Sequence, residues 1–187
     1  MNHPVKPRIP AVDFGAMTDA QKIAAAIVAQ GPRGSVRGPF AILLNSPGAF
    51  GAVQALGTYL RFESTIPANL RELAILATAR HWRQEYEWQV HAVIAQEEGL
   101  STKAIASIAA GFPIEDASAE EELIHAFCSQ LHNDNGVDDA TYARIENLLG
   151  REGVIDLSAI CGYYALLAMV MNVARNPVPT GTLFPAP

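Results

Sequence analysis

The chain has 187 residues, half of them apolar and only 17% charged, with a formal net charge of −6 at pH 7. Such hydrophobicity excludes a disordered chain, two cysteines exclude a disulfide scaffold, and the acidic balance excludes a nucleic-acid binder, which needs a basic stripe. An ordinary soluble domain carries about 25% charge, so part of the exterior is expected to meet another subunit.

The first ten residues hold three prolines and no apolar run, so they read as an extended arm, reaching to about residue 16, and not as a secretion signal. A cytoplasmic location is expected, with Cys128 and Cys161 reduced. Thr18-Asp19-Ala20-Gln21 is a capping box opening a helix that stops at Gly31-Pro32. A Gly/Pro/Arg-rich loop runs from Gly31 to Pro39. Ser46-Pro47 sets an N-cap before a first-turn proline, and that helix reaches about Phe62. Pro67 opens the next, with Leu70, Leu73, Ala74 and Ala77 at helical spacing. The bulky polar run Arg80-His81-Trp82-Arg83 interrupts the period and marks a turn. Val90, Val93 and Ile94 then carry a helix to Gly99.

Ser101 caps a short helix closed by Gly111 and Pro113. A second capping box, Ser118 to Glu121, leads through Leu123, Ile124, Phe127 and Leu131 to the turn at Asn133 to Gly136. A helix from about Asp139 ends at Gly150. Leu157 to Ala174 runs 18 residues without a charge, just short of the ~20 that span a membrane. With Ser158, Gly162 and Asn172 inside it, this stretch reads as a helix buried all round, in the core or at a subunit interface, and not as a membrane span. Four prolines make residues 176–187 an extended tail. No strand, repeat or dividing linker is evident, so the prediction is all-α, one domain over 1–187.

The chemistry concentrates in Arg71 to Glu98. Glu87 and His91 are four residues apart and face the same way on a helix, with Gln84 on the same arc. A carboxylate beside an imidazole orients the ring and raises its pKa toward neutral proton transfer. The same spacing also suits a solvated helix face with a weak surface pair. On one straight helix Glu72 and Glu87 stand ~22 Å apart, so they share a site only if the chain turns between them. His81, His125 and His132 are weaker candidates, and Cys128 beside Phe127 reads as core packing. No His/Cys spacing suits a metal, and no glycine-rich phosphate loop is present.

Arg71-Glu72-Leu73-Ala74-Ile75-Leu76, then Tyr86-Glu87-Trp88 with His91, then Gly99-Leu100-Ser101 resemble the carboxymuconolactone decarboxylase family, which includes alkylhydroperoxidase D. Gly162-Tyr163-Tyr164 and Asn172 are similar to the ends of its longer members. The resemblance covers about 47–179, the family-like helical core. It implies an alkylhydroperoxidase D-like helical bundle assembling as a trimer or hexamer, a dimer being the other option, with the active site near a subunit interface.

In the alkylhydroperoxidase branch a glutamate precedes a Cys-x-x-Cys, and a histidine follows four residues after the second cysteine. The glutamate matches Glu72 and the histidine His91, while the cysteine positions fall on Gln84 and Glu87. Thiol peroxidase or peroxiredoxin-type chemistry needs a thiolate, which disfavours that branch here.

The decarboxylase branch implies a cofactor-free acid–base lyase acting on a small anionic lactone or keto acid from aromatic catabolism. His91 is then the proton donor, Glu87 sets its tautomer and pKa, and Glu72 is a second acid–base group. Arg80 or Arg83 binds the substrate carboxylate. Gln84, Trp82, Tyr86 and Trp88 line the pocket, or the aromatics pack helices. Hydration, isomerisation, lactone hydrolysis, or binding without catalysis would use the same fold.

Overall fold

The computed structural model describes residues 6–175. These form eight α-helices and no strand: α1 (Asp19–Gln30), α2 (Pro39–Leu43), α3 (Pro47–Phe62), α4 (Ala68–His81), α5 (Glu85–Glu97), α6 (Thr102–Ala110), α7 (Ala119–Asp134) and α8 (Asp139–Ala174). The all-α expectation is met among the described residues. The tail at 176–187 lies outside them.

Local chemistry explains the boundaries. Both expected capping boxes form, Thr18 with Gln21 and Ser118 with Glu121, each side chain meeting the other's backbone. Three helices end in the same way. Backbone N–H groups of Arg83 and Gln84, of Gly99 and Leu100, and of Gly111 and Phe112 fold back onto carbonyls of the preceding turn. Each closure puts its first residue in a positive-φ conformation. Gly150, at φ 70° and ψ 176°, breaks α8 where a helix end was expected.

Within the loop read from Gly31 to Pro39 and beyond, the five residues of α2 are too short to show a period. Within the arm expected to be extended, Phe14–Ala16 form a 3₁₀ turn, capped by Asp13 accepting from the Gly15 N–H.

The described residues group into two compact units, 6–63 with 169–175, and 64–168, where the sequence reads as one undivided piece. In the first, α3 packs on α1 and α2, and Phe40 meets Phe50 edge-on. The arm is tied down through Arg8 N–H to the carbonyl of Ala174 and Val12 N–H to that of Ala41.

In the second unit α4 is central, packing on α5, α6 and α7. Leu70, Leu73, Ala74, Ile75, Leu76 and Ala79 are all buried, so this helix is apolar nearly all round, as a core helix must be. Truncating Leu73 to alanine there costs about 2–5 kcal/mol.

The stretch Leu157 to Ala174 departs from expectation. It is not buried all round: Leu166, Met169 and Val173 are exposed, as is Ile155 just before it. Its opposite face, with Leu157, Ile160, Cys161, Leu167 and Met171, is buried. The helix is one-sided, which a run without charges cannot reveal. α8 is long and apolar enough to cross a membrane, and 56% of its most apolar window is buried inside the protein.

Candidate active site

Two helices of the second unit build the site. α4 carries Glu72 and α5 carries Glu87 and His91. Between them Trp82, Arg83 and Gln84 reverse the chain, with Arg83 at φ 49°. The Gln84 side chain accepts from the Tyr86 N–H and so caps the start of α5. This turn lies where the polar run was expected to break the helix, and it brings together two carboxylates that a straight helix would separate.

His91 sits between them. Glu72 Oε2 is 2.6 Å from Nδ1, and Glu87 Oε2 is 3.4 Å from Nε2. Glu72, Glu87 and His91 are 1%, 3% and 3% exposed, which sets aside the reading of a solvated helix face. The hydroxyphenyl ring of Tyr164 on α8 meets the imidazole edge-on, with centroids 5.0 Å apart. Burial alone pushes the His91 pKa down and is the largest single influence. The hydrogen bonds that Glu72 and Glu87 accept from the ring, with their negative charges, outweigh it and hold the pKa above the usual 6.5.

Two further features bear on the chemistry. Arg71 Nε is 3.8 Å from Glu72 Oε1, so with His91 protonated the buried cluster contains two cations and two anions. Buried charges persist only when paired in this way. Glu87 Oε1 is buried and accepts no hydrogen bond, and an unsatisfied buried acceptor is costly to maintain. His91 makes its shorter hydrogen bond to Glu72, which fixes the ring, while Glu87 makes the looser contact and has an oxygen to spare.

The remaining candidates are placed elsewhere. Arg80 Nε donates to the Ala109 carbonyl at the end of α6. Arg83 is exposed in the turn. Trp82 lies edge-on to His81, and Gln84 serves as the α5 cap. Trp88 is buried and Tyr86 half-buried. Arg80, His81, His125 and His132 line a separate cleft of about 560 Å³. Arg71 and Tyr164 were not assigned roles from the sequence. Arg71 directly precedes Glu72, the one available signal, whereas Tyr164 is 73 residues from His91 in the chain and nothing local marks it.

Residues 47–127 match the model of the carboxymuconolactone decarboxylase family. The chain is similar in structure to the alkylhydroperoxidase AhpD core of an uncharacterized peroxidase-related protein from Ralstonia eutropha JMP134. The TM-score is 0.76 at 19% identity, covering 98% of this chain and 96% of that one. Comparison with curated proteins gives no match.

Proposed function

From a chain whose residues 47–127 match the carboxymuconolactone decarboxylase family, we propose a cofactor-free acid–base enzyme in which Glu72, His91 and Glu87 form one proton relay. The observation that carries this is the imidazole held at both nitrogens by buried carboxylates, one of which keeps an unpartnered oxygen. The reaction class it suits best is decarboxylation of a small anionic lactone or keto acid. Loss of CO₂ leaves its bonding electron pair on the substrate as an enolate, which must be stabilised and then protonated on carbon.

His91 holds the proton, which the two carboxylates on its ring make harder to lose than from a free imidazole. The 2.6 Å bond to Glu72 keeps Nδ1 engaged throughout. Nε2, held only at 3.4 Å, is the end that exchanges partners, either directly with substrate or through Glu87. Arg71 is the cation nearest the relay and offsets charge there. Positions 84 and 87 hold no thiol, so peroxide reduction at this site has no nucleophile. We further propose that the chain works as a homo-oligomer, supported by the exposed Ile155, Leu166, Met169 and Val173 along α8.

The test is turnover of a panel of γ-carboxylactones and β-keto acids in D₂O. Wild type should release CO₂ and place one deuterium on the product carbon, and His91→Gln should do neither. Unchanged kcat/KM in that variant, or no turnover across the panel, overturns the proposal.

A further inference from the structure

A second polar cluster lies on another side of α4. Cys128 on α7 and Cys161 on α8 face each other with their sulfurs 3.7 Å apart, both buried and both free thiols. Thr78 on α4 donates its single hydroxyl proton to the Ala74 carbonyl, so in its 2.9 Å contact with His132 it must accept, from Nε2–H. His132 also lies close enough to Cys161 to favour its thiolate. The His132 ring is stacked on the exposed His81, with centroids 4.7 Å apart.

These two histidines, with Ser129 beside Cys128 and Ala77 beside Thr78, line the 560 Å³ cleft. The cleft wall and the thiol environment therefore share one ring, that of His132.

We propose that Cys128 and Cys161 are a redox-active dithiol, oxidised to an α7–α8 disulfide by a small hydroperoxide entering the His81/His132 cleft. The Cys161 thiolate attacks the terminal peroxide oxygen and the O–O bond breaks. The alkoxide (hydroxide, from hydrogen peroxide) takes a proton and leaves, and Cys161 becomes a sulfenic acid. The Cys128 sulfur then attacks the Cys161 sulfur, losing its proton, and water departs. In sum two thiols lose two hydrogens, and the peroxide is reduced to alcohol and water. An external dithiol returns the pair to its reduced form by exchange.

The order of attack follows from the surroundings. Hydrogen bonding from Cys128 pulls the Cys161 thiol down, with His132 adding to it against the effect of burial. Its hydrogen bond to Cys161, then burial, push the Cys128 thiol up. Closing 3.7 Å to a bond of about 2.05 Å is within reach of side-chain rotation and a small helix shift.

The experiment uses the full chain, reduced, desalted and exposed to hydrogen peroxide. Both thiols should disappear together, the intact mass should fall by two hydrogens, and a peptide map should show Cys128 linked to Cys161 within one chain. Dithiothreitol should reverse all three. In Cys128→Ser, Cys161 should stop at a sulfenic acid that dimedone traps. In Cys161→Ser, Cys128 should oxidise at least about tenfold more slowly than Cys161 does. Thiols that stay titratable while free cysteine is consumed, links only between chains, or equal rates in the two variants overturn the proposal. The wild-type peptide map decides even if a variant does not fold.

Discussion

Glu72 and His91, nineteen residues apart in sequence, meet at 2.6 Å inside the protein. The turn at Trp82 to Gln84 makes the meeting possible, and burial makes it consequential. At the surface such a pair contributes ~0–1 kcal/mol. Removed from water, breaking it leaves an uncompensated charge, which typically costs ~3–5 kcal/mol. α4 uses its two buried polar side chains separately: Thr78 lies six residues beyond Glu72, about 120° around the helix, and serves the other cluster.

The pKa of His91 makes stability depend on pH. The folded chain holds the proton more tightly than the unfolded one, whose histidine titrates near 6.5. The stabilisation from protonated His91 is therefore fully present below about pH 6.5 and is lost as pH rises through the folded value. Urea unfolding of wild type and His91→Gln between about pH 6 and pH 9 should show the wild-type advantage shrinking with rising pH. An advantage that grows with pH would contradict the pairing described for His91.

Glu87→Gln tests the second carboxylate in both activity and stability. The amide keeps the shape of the side chain but removes the carboxylate that contacts Nε2 and carries the unpartnered buried oxygen. Turnover should fall by about 10²–10⁴, the range for loss of a positioned acid–base group. Unfolding free energy should also fall, because buried His91 loses one of the two carboxylates that balance its charge. Steady-state kinetics beside urea melts read both effects.

Much of this was legible in the sequence because it is local. The capping boxes at Thr18 and Ser118 and the glycine at position 150 are written within a few residues, and α4 and α5 announce themselves by period and by the polar run between them. Glu72 and His91 stood out as ionisable groups in an apolar segment. What escaped is tertiary. Nothing in the one-dimensional pattern puts Tyr164 against His91, Cys161 against Cys128, or Arg80 against the end of α6. The exposed side of α8 is equally silent, since apolar residues look the same whether they face a core or a partner.

Thr78→Val tests the second cluster. Valine matches threonine in shape but cannot accept from His132. The loss should cost up to about 1 kcal/mol, the half-buried His132 losing one partner while facing the cleft. Activity at His91 should be unaffected, because Glu72 lies on another face of α4. Reduced turnover in this variant, with stability intact, would mean that the two clusters are coupled.

Gly150→Ala probes the break in α8. The glycine adopts φ 70°, where an L side chain is disfavoured, yet an added Cβ meets nothing within 4 Å. The cost is therefore purely conformational, about 1–2 kcal/mol.

Gln84→Cys combined with Glu87→Cys rebuilds the thiol pair that the family's peroxidase branch carries in front of His91. Made in a Cys128→Ser, Cys161→Ser background, it isolates chemistry at this site from any at the other. The cysteine at 87 sits one helical turn before His91, and removing the Gln84 cap should cost about 1 kcal/mol. If His91 and Glu72 form a general proton relay, the double variant should gain hydroperoxide consumption with a dithiol reductant while the parent background shows none. A folded variant with reactive thiols and no peroxide turnover would instead mean that the Glu72–His91 pair is tuned to its own carboxylate partner, Glu87, and not to proton transfer in general.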